Sequence, residues 1–260
     1  MYVNACLHPA CVSSPVAQRW GRGTASAAFA LCAALILAAW APKPPHPAIK
    51  SIGVIAAVGD TCMFEHVTVA PFQWIGPPRA SFLEISDWGI DDAVTKAIAA
   101  LLAPPYNVQT IAIEHQDFDT WTYDTLSRRV RELPVPETAV DAYLLVLRDW
   151  NGDAIGGSLH QLGGLGLYRR DLPHGGKRLA VFASYRLVLM EPEHGGIIAS
   201  RAALLPDRRL PLLPVSSSLW PRTQNELSGS QRETLRQDFL QLLDRTLPPT
   251  LRSLGLKAQE

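Results

Sequence analysis

The sequence predicts an α/β domain, with a mixed sheet and helices packed on it, behind an N-terminal transmembrane or signal helix. Short β-branched apolar runs alternate with helical stripes over residues 50–147, a pattern typical of a layered α/β sheet. Apolar runs separated by Gly-Gly follow over residues 165–204 and favour an antiparallel β-meander. An uncharged stretch of eighteen residues, 24–41, lies near the N-terminus.

The uncharged stretch is long enough to be a membrane anchor. As a helix rising ~1.5 Å per residue it would span ~27 Å, close to the ~30 Å of a hydrocarbon core. Arg19 and Arg22 precede it without acidic neighbours, so the positive-inside tendency places the C-terminal part on the outer side. We therefore expect a single-pass inner-membrane protein whose domain faces the periplasm. The alternative is a signal peptide cleaved after Ala41, with secretion to the periplasm.

Four segments follow from this reading of the chain. Prolines recur after the apolar stretch and favour a stiff, extended spacer, because proline fixes φ and removes backbone donors. The segments are a disordered cytoplasmic N-terminus (1–23), the transmembrane or signal helix (24–41), the proline-rich spacer (42–48) and a single periplasmic α/β domain (49–256).

The first half of the domain alternates strands and helices. Strands are expected at 50–58, 108–113 and 139–147, which are short and apolar, and at 64–74, where apolar and polar residues alternate. A helix is expected at 87–102, capped by Ser86 or Asp87, and a second one from Asp119 or Thr120 to Leu133.

The second half predicts a meander and a closing helix. Three strands are expected at 165–169, 177–190 and 196–204, joined by turns that contain His-Gly-Gly. Ser230 and Glu233 have the spacing of a capping box, so the C-terminal helix should begin there and end before Pro248-Pro249.

Composition narrows the function classes. Lys and Arg together number 24, as do Asp and Glu, and a net charge of zero argues against a nucleic-acid partner. Cys62 is the one cysteine after the spacer, so no disulfide can form within the domain, and a buried thiol is expected. The glycine-rich segment 152–166 matches neither the P-loop motif G-x-x-x-x-G-K-S/T nor the dinucleotide-binding motif G-x-G-x-x-G, and the sequence predicts no cofactor.

One polar loop is a candidate for an enzymatic or metal-dependent site. Asp149 and Asp153, with Asn151 between them, present oxygen side chains at positions 1, 3 and 5 of a possible calcium loop, and His160 stands at position 12, within the glycine-rich segment 152–166. The calcium-loop pattern then breaks, because Ala154 and His160 stand where glycine and a bidentate glutamate belong. A hydrolase or metal-dependent enzyme using Asp149, Asp153 and His160 is the alternative function.

Aromatic residues mark a candidate partner surface. Trp74, Phe82 and Trp88 lie in or beside the proline-rich connection of residues 71–88. Large apolar side chains in such a connection either fold back as a lid on the core or form a contact surface. Both interpretations remain open from the sequence.

Two groups of titratable residues have weaker support. Asp141 interrupts an apolar strand, and a buried carboxylate needs a partner, for which nearby arginines such as Arg148 are candidates. Asp60, Glu65 and His66 lie near one strand end and could form an acid/base cluster.

The order of elements over residues 50–256 resembles an envelope-assembly fold. That fold is shared by the N-terminal domain of TolB, the curli secretion lipoprotein CsgG and the penicillin-binding-protein activator LpoB. The likeness consists of a strand-first α/β layer, a late antiparallel meander and a closing helix behind an export signal. It implies a periplasmic protein-interaction role without a catalytic site. We therefore expect a non-catalytic module that binds protein partners of the cell envelope or a second copy of itself.

Overall fold

The computed structural model describes the protein at residues 49–68, 79–113, 118, 121–133, 139–152, 161–172, 176–205, 211–221 and 227–259. The expected membrane helix (24–41) and spacer (42–48) lie outside these ranges. Within them, no helix combines the length and the apolar character that crossing a bilayer requires.

The described residues form ten strands and three α-helices. The strands are β1 (Ser51–Ala57), β2 (Thr61–Thr68), β3 (Arg79–Glu84), β4 (Asn107–Thr110), β5 (Ala142–Arg148), β6 (Trp150–Gly152), β7 (Gln161–Asp171), β8 (Lys177–Met190), β9 (Ile197–Ala202) and β10 (Leu212–Pro214). The helices are α1 (Ile90–Leu102), α2 (Tyr123–Glu132) and α3 (Gly229–Ser253). The α/β class with a mixed sheet, an antiparallel meander β7–β8–β9 and a C-terminal helix is confirmed.

The sheet is forked around its longest strand, β8. The N-terminal half of β8 pairs with β7 on one edge and β10 on the other, giving a branch of order β3-β2-β7-β8-β10. Its C-terminal half pairs with β5 and β9, giving a branch of order β4-β1-β5-β8-β9. The two branches meet where Ser184 pairs with β7 and Tyr185 pairs with β5.

The main core lies on one face of both branches. Helices α1 and α3 cover this face, and the stripe expected of the first helix is buried at Ile90, Val94 and Ile98. Helix α2 covers the opposite face of the β4-to-β9 branch through Leu126 and Val130. A third cluster lies on that opposite face of the β3-to-β10 branch and consists of Met63, Val67, Leu162, Tyr168 and Phe182.

The expected position of Asp141 is wrong. Its carboxylate is exposed and accepts hydrogen bonds from the backbone N–H groups of Lys50 (2.8 Å) and Ser51 (2.9 Å) and from the Ser51 hydroxyl (2.9 Å). These three donors hold the start of β1 beside the start of β5 and lower the pKa of Asp141. The donors replace the arginine that the sequence favoured, because β1 and β5 are parallel neighbours.

The helix boundaries differ from those expected. Ser86 and Asp87 belong to a short 3₁₀ turn, and α1 begins after Gly89, whose φ of +62° suits glycine. Thr122 and Thr125 form the capping box of α2, and Ser228 and Gln231 form that of α3.

The expected stop at Pro248-Pro249 is also wrong. Helix α3 continues through both prolines to Ser253. Proline removes a backbone donor from a helix interior. Buried contacts of Leu247 and Leu251 with the main core, on either side of the prolines, hold the chain helical there.

Candidate protein-interaction surface

Strand β3 ends one branch of the sheet and was not expected from the sequence. It pairs antiparallel with β2, with Met63 opposite Phe82 and Cys62 opposite Leu83. Leu83 turns into the main core, whereas Phe82 shares a face with Met63, a member of the third cluster. In the described part of the chain, no strand pairs with the outer edge of β3.

The backbone of β3 has a defined outward side. The N–H of Ile85 donates to the carbonyl of Asp60 at 2.8 Å, across the gap between β3 and β2. Since successive residues of a strand direct their N–H and C=O groups to opposite edges, Leu83 and Ser81 also face β2. Glu84, Phe82 and Ala80 therefore direct their donors and acceptors outward.

Phe82 is the exposed aromatic residue of this edge. Its side chain is 47% exposed, and its neighbours with outward backbone groups, Ala80 and Glu84, are also exposed. An aromatic ring at the rim of a sheet supplies apolar contact area next to unpaired backbone groups, a combination used when an extended segment adds to a sheet.

The other end strands are shorter or irregular. Strand β4 has four residues, and β10 has three and includes Pro214, which donates no backbone hydrogen bond. Strand β9 pairs with β8 through a register shift at Leu189 and Met190. Such features discourage edge-to-edge pairing, and β3, with six regular residues, has none of them.

Trp88 does not belong to an exposed surface, which corrects that part of the expected partner site. Its side chain is 6% exposed, and its ring lies 6.2 Å from that of Phe239 on α3. Arg236 fixes the same turn, because its Nε donates to the carbonyl of Trp88 at 2.7 Å. Trp88 thus forms part of the main core, as the lid interpretation allowed. Trp74 lies outside the described residues.

Of the polar loop, the structure describes Asp149, whereas Asp153 and His160 lie outside the described residues. Asp149 stands at the fork, where its N–H donates to the carbonyl of Ser184 and its carbonyl accepts from the N–H of Gly164. Arg186 Nη2 lies 2.8 Å from Asp149 Oδ2, within ion-pair distance but without the alignment of a hydrogen bond. Asp149 thus neutralises an arginine at the junction of the two branches.

The neighbour Asn151 is engaged in a similar way. Its Nδ2 donates to Ser184 Oγ at 2.5 Å, which ties β6 to β8. In the described ranges, no group of three or more His, Cys, Asp and Glu side chains is placed to hold a metal ion.

The expected acid/base cluster is replaced by another arrangement around His66. Glu65 and His66 are adjacent in β2 and so point to opposite faces, with Glu65 fully buried beside the third cluster. His66 Nε2 lies 2.9 Å from Asp171 Oδ2, and Arg169 Nε donates to Asp171 Oδ1 at 3.1 Å. Burial raises the pKa of Asp171, but the hydrogen bonds from His66 and Arg169 outweigh it, and the net pKa is lowered.

Trp220 completes this arrangement. Its ring centroid lies 5.7 Å from that of His66 and 5.5 Å from the guanidinium carbon of Arg169. The segment that carries Trp220 is thereby fastened to the ends of β2 and β7. No local sequence signal could identify the group, since His66 and Asp171 are 105 residues apart and meet through the parallel pairing of β2 with β7.

Cys62 is buried, as expected, on the main-core face of β2. Loss of solvent raises the pKa of its thiol far above the ordinary value. The thiol therefore stays protonated and packs as a small apolar group.

No protein-family model matches this chain, and no curated protein is significantly similar to it. Among solved structures, the chain is similar to the crystal structure of protein XCC0632 from Xanthomonas campestris, described under the family DUF330. The match covers 83% of this chain and 90% of that one, at 10% sequence identity and a TM-score of 0.30. A likeness at this level transfers no function to the chain.

Proposed function

We propose that this chain is a non-catalytic protein-interaction module of the cell envelope, tethered to the inner membrane or exported to the periplasm. The tether is the uncharged stretch 24–41, preceded by Arg19 and Arg22. The interaction surface is the outer edge of β3, centred on Phe82.

One observation carries the proposal. Phe82 is 47% exposed on a regular end strand whose outward backbone groups have no partner strand among the described residues. A sheet edge of this kind binds extended protein segments through main-chain hydrogen bonds, and an adjacent apolar side chain supplies contact area.

The packing of the described domain agrees with this role. Leu83 of β3 belongs to the main core, which packs α1 and α3 against the sheet, so β3 is presented on a rigid support. The polar side chains that the sequence singled out and the structure describes are engaged in structural pairs, Asp149 with Arg186 and Asp141 with the start of β1.

Photo-crosslinking from position 82 tests the proposal. A photoreactive phenylalanine analogue at Phe82, in the full chain and in cells that make it, should give a discrete protein adduct after irradiation. The matched control carries the same analogue at Ile197, a 37% exposed residue of the irregular end strand β9, and should give none. Equal labelling from both positions, or none from position 82, would contradict the proposal.

A further inference from the structure

Strand β3 is self-complementary in the antiparallel sense. Ala80, Phe82 and Glu84 direct their N–H and C=O groups outward, as the Ile85–Asp60 hydrogen bond implies. A two-fold axis perpendicular to the sheet keeps each face on its own side, so residues opposite one another must have positions of the same parity. Pairing Phe82 with Phe82 of a second copy satisfies that condition.

The resulting register places three hydrogen-bonding pairs across the axis. Phe82 faces its own copy, and Ala80 of each chain faces Glu84 of the other. Because all three residues present outward donors and acceptors, about six backbone hydrogen bonds can form. The two exposed rings then lie side by side on the face that carries Met63, which removes apolar surface from water.

Charge and chemistry favour a second copy as the occupant. Arg19, Arg22 and Lys43 precede the domain, so residues 49–260 carry 21 basic and 24 acidic residues, a small excess that leaves only weak long-range repulsion between two copies. Strand β3 is itself balanced, with Arg79 and Glu84 at its two ends and no charged residue between them. Strand β3 itself contains no proline and no bulge, whereas the other described end strands are shorter or irregular.

We propose that this protein forms a two-fold symmetric homodimer through β3, with Phe82 on the axis, joining the two sheets edge to edge. This inference rests on the proposed function, because it names the partner of the same surface. A common bilayer tether would raise the effective concentration of the copies and favour the pairing.

Cysteine cross-linking tests the register. The parent is the full chain with Cys6, Cys11 and Cys32 changed to serine and the buried Cys62 retained. A short bifunctional thiol reagent should link Phe82→Cys to its own copy, because Cα atoms of such a pair lie ~5.5 Å apart. Ala80→Cys alone should stay unlinked, since its own copy is offset by ~14 Å along the strand. A mixture of Ala80→Cys and Glu84→Cys should link.

Phe82→Pro should prevent dimerisation without unfolding the monomer. Its N–H faces outward, so proline is compatible with the monomer but removes the two central hydrogen bonds of the dimer. In mild detergent, light scattering should give twice the protein mass of 28.4 kDa for the parent chain and the single mass for Phe82→Pro, with dimer affinity lowered roughly tenfold or more. An unchanged circular dichroism spectrum and melting temperature should accompany the loss.

Each contrary outcome is distinct. A monomeric parent chain, or equal linking of Phe82→Cys and Ala80→Cys, would overturn the two-fold pairing. An adduct from position 82 to a different protein would overturn it while leaving the proposed function standing. No adduct at all from position 82 would contradict both the homodimer and the proposed function.

Discussion

The hydroxyl of Tyr185 on β8 lies 2.8 Å from the hydroxyl of Thr246 on α3, and neither residue is exposed to solvent. Thr246 Oγ1 in turn donates to the carbonyl of Leu242 at 2.9 Å. Burial raises the pKa of Tyr185 beyond its ordinary range, so the phenol stays neutral and donates to Thr246. This chain of hydrogen bonds pins the closing helix to the strand that both branches share.

Removing the Tyr185 hydroxyl should therefore weaken the domain. Tyr185→Phe is expected to lower the free energy of unfolding by about 1 kcal/mol, since a buried acceptor on Thr246 loses its donor. A double-mutant cycle with Thr246→Val should give a coupling energy of similar size. Urea unfolding of the full chain, followed by tryptophan fluorescence, measures both. Additive effects of the two substitutions would show that the hydrogen bond contributes nothing.

Asp141 should make the stability of the domain decrease at acidic pH. Hydrogen bonds from Lys50 and Ser51 lower its pKa in the folded state. Its contribution is therefore complete above the unfolded pKa of ~3.9 and is lost as the pH falls through the folded value. Asp141→Asn should flatten the fall of the melting temperature between about pH 5 and pH 2. Asp141→Ala should lower the melting temperature at pH 7, because the backbone N–H groups of Lys50 and Ser51 lose their acceptor.

The matched control for this pH dependence is Glu193→Gln, because the Glu193 side chain is 87% exposed. Its melting temperatures should follow those of the parent chain across the whole pH range. If the melting temperatures of Asp141→Asn also follow those of the parent chain, the hydrogen bonds that Asp141 accepts at the start of β1 do not stabilise the fold.

Two glycine substitutions should change the free energy of unfolding in opposite directions. A Cβ at Gly166 would lie 2.4 Å from the carbonyl oxygen of Met63 in the neighbouring strand, so Gly166→Ala must displace β2 or β7. It should cost about 3 kcal/mol. Gly229 lies in the first turn of α3, and a Cβ there meets nothing within 4 Å, so Gly229→Ala should stabilise by about 0.5–1 kcal/mol. Thermal melting of both variants checks the pair, and equal melting temperatures would contradict the close contact.

The polar loop should be dispensable for partner binding. Asp149→Ala combined with His160→Ala breaks the ion pair with Arg186 and should cost about 1–2 kcal/mol of stability. Crosslinking from position 82 should nevertheless remain. A double variant that folds but loses every cellular effect of the protein, while the adduct persists, would favour the enzymatic alternative.

Topology is testable independently of the fold. A reporter that is active only in the periplasm, fused after Glu260, should be active, because the arginines before residue 24 are expected to stay in the cytoplasm. Changing Arg19 and Arg22 to glutamate should reduce that activity. A fusion that works only with a cytoplasmic reporter would overturn the proposed location.

Elements with a continuous apolar pattern could be predicted from the sequence. β1 and β5 lie at the centre of their branch, buried on both faces, and so read as uninterrupted apolar runs. The sequence does not predict β3, because this strand has water on part of one face, mixes small and charged residues, and follows a pair of prolines. The pairing that makes it a strand comes from β2.

The candidate site could be predicted only in part for a similar reason. Phe82 was identified as an aromatic residue in a proline-rich connection, but its place on an unpaired edge depends on the order of strands across the sheet. Trp88 carried the same local signal, yet its partner Phe239 lies on the closing helix. Exposure of an aromatic residue is decided by what the rest of the chain brings to it.

Because both branches pair with the same strand, β8, we expect them to unfold together. The first half of the fourteen-residue strand β8 pairs with β7, and its second half pairs with β5. If β8 separates from the sheet, both branches therefore lose a central strand. We expect cutting the polypeptide within β8 to release no stable half-domain, and hydrogen exchange in β1 and β7 to share one slow opening event.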